Sequence, residues 1–167
     1  MAGRENKSSR YERILAHARE LVAGLPGPIS RMSTIAALLH HKMPGLSWTG
    51  FYLLEDGQLV VGPYQGLVAC PVLDKHRGVC WAGILRNETV IVPDVQAFPG
   101  HIACDSRSKS EIVVPLRRRD GAVAGVLDVD STRIGWFDEA DAAGLAPLAN
   151  LVHAEPGERK PEKGSHA

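Results

Sequence analysis

The sequence predicts an α+β domain: a central antiparallel sheet with the N- and C-terminal helices packed on one face. Three observations lead there. The chain has 167 residues, about one domain's worth and enough to bury a core without covalent staples. Helical periodicity occupies its two ends. Between them, Asp56-Gly57 and Asp120-Gly121 each separate two apolar runs. That is a hairpin signal, and hairpins build antiparallel sheets.

Taken in order, Ser9 followed by Glu12 forms a capping-box pattern. Tyr11, Ile14, Leu15, Ala18, Leu21 and Val22 follow at helical spacing, and Gly24 marks the stop. Pro26-Gly27-Pro28 is a turn. Ser30 to Lys42 reads as a second helix with Met32, Ile35, Leu38 and Leu39 on one face, ended by Pro44-Gly45. Trp48 to Leu54 is a strand, and Gln58 to Val61 returns beside it. Leu67 to Leu73 is a further strand, Val79 to Arg86 a short helix and Thr89 to Val92 a short strand. Pro93 to Arg107 is a long loop, a kind of segment that usually carries function. Ser110 to Leu116 and Ala122 to Asp130 make the second hairpin. Asp138 caps a last helix through about Val152, although Pro147 argues against its second half. The folded unit is expected to span residues 9–152. Residues 1–8 and 153–167 are expected to be disordered, the latter being polar and rich in Pro and Gly.

Composition excludes several classes. Hydrophobic content of 44% and charged content of 23% fit a globular protein. The 19 basic and 19 acidic residues cancel, so no basic excess points to nucleic acid or to an acidic membrane surface. The N-terminal MAGRENKSSRYER has no apolar core of a secretory signal, and no apolar run is long enough to span a bilayer. An odd cysteine count without an export signal points to a reducing compartment, the cytoplasm, where a disulfide is transient and catalytic.

The chemistry-bearing residues fall into groups. Cys70, Cys80 and Cys104 lie within one 35-residue window, and the rest of the chain has no cysteine. Cys104 sits in the polar loop string GHIACDS, Cys70 at a strand end and Cys80 at the start of a helix, where a thiolate is stabilised. Single free cysteines are mostly small buried hydrophobes. Three together suggest a nucleophile with a resolving partner, or metal ligands. With His76 and His101 they offer sulfur and nitrogen donors, but no CxxC or zinc-knuckle spacing is present. The adjacent His40 and His41 read as surface residues. Asp128 and Asp130 are two apart on an apolar strand and therefore share a face, and Glu111 begins the neighbouring strand. Burying acids is costly unless they line a polar pocket; the competing reading is a strand-end turn with Asp128 exposed or paired. Trp48 and Tyr52 share a strand face too, either as core or as an aromatic wall beside the acids, suited to a cationic or amphiphilic small ligand.

The strings SWTGFYLL, VGPYQGLVAC, GVC, VIVPDVQAFPGHIACDSRSKSEIVVPL and AGVLDVDS together resemble the free methionine-(R)-sulfoxide reductases, small GAF-domain enzymes, from about Trp48 to Leu145. The resemblance implies a single GAF-like domain. It implies that Cys104 is the nucleophile, Cys70 the main resolving cysteine and Cys80 the third, and that Trp48, Tyr52, Glu111, Asp128 and Asp130 bind substrate. It implies reduction of free methionine (R)-S-oxide through a sulfenic acid and an intramolecular disulfide, recycled by thioredoxin, with no metal or organic cofactor. Related GAF domains are often dimers, so a homodimer is expected. The chain departs from the family at Trp81, where glycine is usual, and at Leu73-Asp74-Lys75-His76-Arg77, where a segment like IPFGK is usual. The alternative is a GAF module that binds a small ligand, or senses redox state through its thiols, without turnover.

Overall fold

Eleven elements follow one another in the computed structural model, which describes residues 6–101 and 105–154. They are helices α1 (Lys7–Val22) and α2 (Pro28–Lys42), strands β1 (Leu46–Glu55), β2 (Gln58–Gln65) and β3 (Val72–Leu73), helix α3 (Gly78–Arg86), strand β4 (Val90–Val92), a 3-10 turn (Val95–Ala97), strands β5 (Ser110–Arg117) and β6 (Val123–Ser131), and helix α4 (Glu139–Asn150). The six strands form one sheet in the order β3-β2-β1-β6-β5-β4, every neighbouring pair antiparallel. The expected α+β architecture is present.

Each face of the sheet has its own core. Phe51, Ile112, Val114, Leu127 and Val129 point to one side and pack with Ile35, Leu39, Leu145 and Leu148 from α2 and α4; α1 lies on those two helices. Leu59, Val113 and Val126 point to the other side, where α3 covers them with Val79, Cys80 and Trp81. Gly83 permits that approach: a Cβ there would lie 2.8 Å from Val113 Cγ1. Strand periodicity puts alternate residues on opposite faces, so the helical layer and the α3 layer are specified by one alternating pattern.

Several expectations need correction. The first helix begins a turn's fraction before Ser9: Asn6 is its N-cap, its side chain accepting from Ser8 N at 3.2 Å. Asparagine caps as well as serine, and the longer helix brings Lys7 to Asp141 (2.6 Å) and Asp138 (3.0 Å). Pro28 belongs to α2, where its missing N–H costs nothing in the first turn. Residues 67–71 are not strand. Gly66, at φ +122°, turns β2 away, and the carbonyls of Leu67 and Cys70 are taken by side chains, Trp48 Nε1 at 3.1 Å and Tyr52 OH at 3.1 Å. Helix α4 runs through Pro147, because Leu145, Leu148 and Ala149 are buried on either side of it and hold the helix down. His40 is half-buried, its Nδ1 3.3 Å from Thr49 Oγ1. His153 and Ala154, read from sequence as the start of the tail, offer their carbonyls to Arg119 and, from Ala154, to Arg31.

Candidate active site

The cavity lies on the α3 side of the sheet, where β1, β6 and β5 run side by side. Sheet register sets its floor. Trp48 on β1 faces Asp130 on β6, and Asp130 faces Glu111 on β5, so the three form one row across three strands. One row along, Gly50 faces Asp128, which faces Val113. Period-two alternation puts both aspartates on the α3 side together with Trp48. The cavity is lined by Trp48, Tyr52, Cys80, Glu111, Asp128 and Asp130, closed by Leu67–Ala69 above and by His101, Asp105 and Ser108 at the side.

Trp48 and Tyr52 form a wall. Their rings stack with centroids 5.8 Å apart, and Tyr64 from β2 also stacks on Trp48, at 5.2 Å. Gly50 makes this possible, since a Cβ there would sit 2.3 Å from Tyr64 Cβ and 2.6 Å from the Trp48 ring. The same two aromatics donate to the 67–70 segment. They therefore do two jobs, walling the cavity and pinning the backbone that carries Cys70.

The acids are buried against one another and Cys80. Asp128 and Glu111 are 6% and 7% exposed, and Asp128 Oδ1 has no hydrogen-bond partner among the described residues. Burial, before any neighbour's charge, pushes all three carboxyls up: Asp128 to about 7, Glu111 and Asp130 well above the usual carboxylate range, with the charge of Asp128 adding to both. Three carboxyls this close titrate as a set and retain protons near neutrality. Burial pushes the Tyr52 phenol up as well.

The thiols are in different states. Cys70 lies in the loop before β3 and is disulfide-bonded. Cys80, the third residue of α3, is a free thiol, 4% exposed. Its Sγ donates to Glu111 Oε1 at 3.9 Å. The expected thiolate stabilisation at a helix start is not what Cys80 experiences: burial, then the charges of Asp128, Glu111 and Asp130, push the thiol well up. Burial over a carboxylate cluster outweighs the half-charge of a helix end. Cys104 lies outside the described residues. His76, a metal candidate from sequence, has its ring 5.1 Å from that of Trp81, outside the cavity lining.

Several contributors to the cavity or to its aromatic wall, Arg77 in the lining among them, were not singled out from sequence as pocket residues. Tyr64 is an aromatic in VGPYQ, a signal that was available. Asp105 directly follows the GHIAC string and Ser108 stands three residues further on, and His101 within it was weighed only as a metal donor.

A model of the GAF domain family matches residues 31–154. Over 143 residues the chain is 42% identical to the free methionine-R-sulfoxide reductase of Escherichia coli (strain K12), covering 86% of each protein. It is 39% identical over 155 residues to the protein of the same name from Saccharomyces cerevisiae, covering 89% of this chain and 86% of that one. The X-ray structure of the free methionine-R-sulfoxide reductase from Neisseria meningitidis in complex with its substrate is similar at 39% identity, with a TM-score of 0.85 over 90% of each chain.

Proposed function

The chain belongs to the free methionine-R-sulfoxide reductase family of GAF-domain proteins, and from that premise we propose that it reduces free L-methionine (R)-S-oxide to methionine with its own thiols. The observation that carries this reading is an aromatic-walled cavity floored by three buried acids, beside a segment whose cysteine is disulfide-bonded.

The chemistry follows from these parts. The Cys104 thiolate attacks the sulfoxide sulfur. The S–O bond to the methionine sulfur breaks only when the oxygen is protonated, and a carboxyl of the Glu111–Asp128–Asp130 set, kept neutral by burial, supplies that proton. The protonated oxygen passes to the Cys104 sulfur as the transient bond between that sulfur and the methionine sulfur breaks, so methionine departs and Cys104 is left as sulfenic acid. A second thiol condenses with it, expelling water and forming a disulfide. Cys70 serves as that resolving thiol in this reading, which is supported by its being disulfide-bonded while Cys80 is free and buried. Cys80 sits against Glu111 and adjusts the acid set rather than exchanging. The remaining acid charge receives the substrate's α-ammonium, and the Trp48–Tyr52 wall packs its methyl end. An external dithiol, thioredoxin in this reading, returns the disulfide to thiols. The setting is the cytoplasm, and the chain works as a homodimer. Among the described residues, no helix is long and apolar enough to cross a membrane.

The test is NADPH consumption by thioredoxin reductase and thioredoxin when each epimer of free methionine sulfoxide is added. Turnover with the (R) epimer supports the reading. Binding without NADPH consumption by any thiol reductant would leave a ligand-binding GAF module instead.

A further inference from the structure

We propose that the floor of the cavity is also a binding site for a zinc-type divalent ion, held by Cys80, Glu111 and Asp128, and that the ion shuts the cavity reversibly. The ligand atoms of these three residues all lie within 4.8 Å of one another. They come from three separate elements, α3, β5 and β6, packed into one core, so the triangle is prebuilt. Zn–S distances of about 2.3 Å and Zn–O distances of about 2.0–2.2 Å call for ligand separations of roughly 3.3–3.7 Å in a tetrahedral site. Cys80 Sγ and Glu111 Oε1 already stand 3.9 Å apart.

A second observation points the same way. Asp128 is 6% exposed, and its Oδ1 is buried without a hydrogen-bond partner among the described residues, in a cavity rich in other acids. A buried acceptor in that state lacks a cation or a donor. The donor set selects the ion. One thiolate and two carboxylates suit zinc, whereas calcium and magnesium want six or more oxygens. Three protein ligands leave a fourth position open toward the cavity, where water would sit. No electrons move on binding: the ion displaces the thiol proton and the proton retained by the carboxyls.

The metal site rests on this geometry alone; that a bound ion blocks reduction rests on the function proposed above. The experiment therefore measures binding without turnover. In the full-length Cys70→Ser/Cys104→Ser chain, Cys80 is the sole thiol. Titration with Co2+ is expected to give one ion per chain and a near-ultraviolet thiolate-to-cobalt charge-transfer band. Adding Cys80→Ser removes the band, and adding Asp128→Asn weakens Zn2+ binding, measured by calorimetry, about ten-fold or more. Free methionine, which cannot be reduced, competes with the ion. Should Asp128→Asn fail to fold by circular dichroism, Glu111→Gln serves in its place. Absence of the thiolate band, or Zn2+ affinity unchanged by both substitutions, overturns the proposal.

Discussion

Asp128 shows how one buried side chain couples the fold to the chemistry. Its carboxyl is raised from 3.8 to about 7 by burial. Between those values the folded chain holds a proton that the unfolded chain has released, so the group's contribution to stability falls as pH rises through that window. Asp128→Asn removes the loss. The variant is expected to gain roughly 1–3 kcal/mol over the parent at about pH 8 and almost nothing at about pH 4, read from thermal melts at both. A parent and variant with parallel pH profiles would mean that Asp128 is ionised and solvated. Cys104 and Cys70 carry the thiol chemistry of the proposal. Cys104→Ser is expected to abolish reduction with the circular dichroism unchanged; activity above a small residue removes it as nucleophile. After one turnover without reductant, non-reducing peptide mapping is expected to find a Cys70–Cys104 bridge. A Cys80–Cys104 bridge would make Cys80 the resolver.

At the scale of elements, α1 and α4 are joined by a buried carboxylate. Asp141 takes Lys7 Nζ at 2.6 Å, Tyr11 OH at 2.9 Å and the backbone N of Asp138 at 2.9 Å, the last completing a capping box. Removing the acid leaves the buried Tyr11 phenol without its acceptor, while Lys7 keeps Asp138 and the Trp136 carbonyl. Asp141→Ala is expected to cost about 2–3 kcal/mol by urea unfolding, with KM unchanged, since this network lies on the sheet face away from the cavity. The elements also show what sequence reading reaches. The aspartates' common face was legible because strand alternation is strict, and Asp-Gly predicted the first hairpin because Asp56 and Gly57 both adopt positive φ, +48° and +74°. The 67–71 segment was not legible as a loop. Its residues are apolar enough for a strand, and the competing partners for its carbonyls, Trp48 and Tyr52, lie some 18 residues earlier in sequence. The environment of Cys80 was hidden for the same reason. Its helix position is local, whereas the acids that raise it arrive from β5 and β6.

For the whole molecule, the sheet divides labour. One face, under α1, α2 and α4, is a conventional apolar core; the other, under α3, surrenders part of its core to three carboxyls. Burying those acids is unfavourable on its own and becomes useful when a ligand brings positive charge or takes a proton. A free amino acid brings an α-ammonium, whereas a peptide-bound or N-acetylated methionine sulfoxide does not. Comparison of initial rates on free and N-acetyl methionine (R)-S-oxide, with thioredoxin as reductant, tests the central claim most directly. The account predicts that kcat/KM falls by about a hundred-fold or more on acetylation, equivalent to roughly 3 kcal/mol of transition-state binding. Equal rates on the two compounds would contradict it, because the acids would then not be reading the substrate's charge.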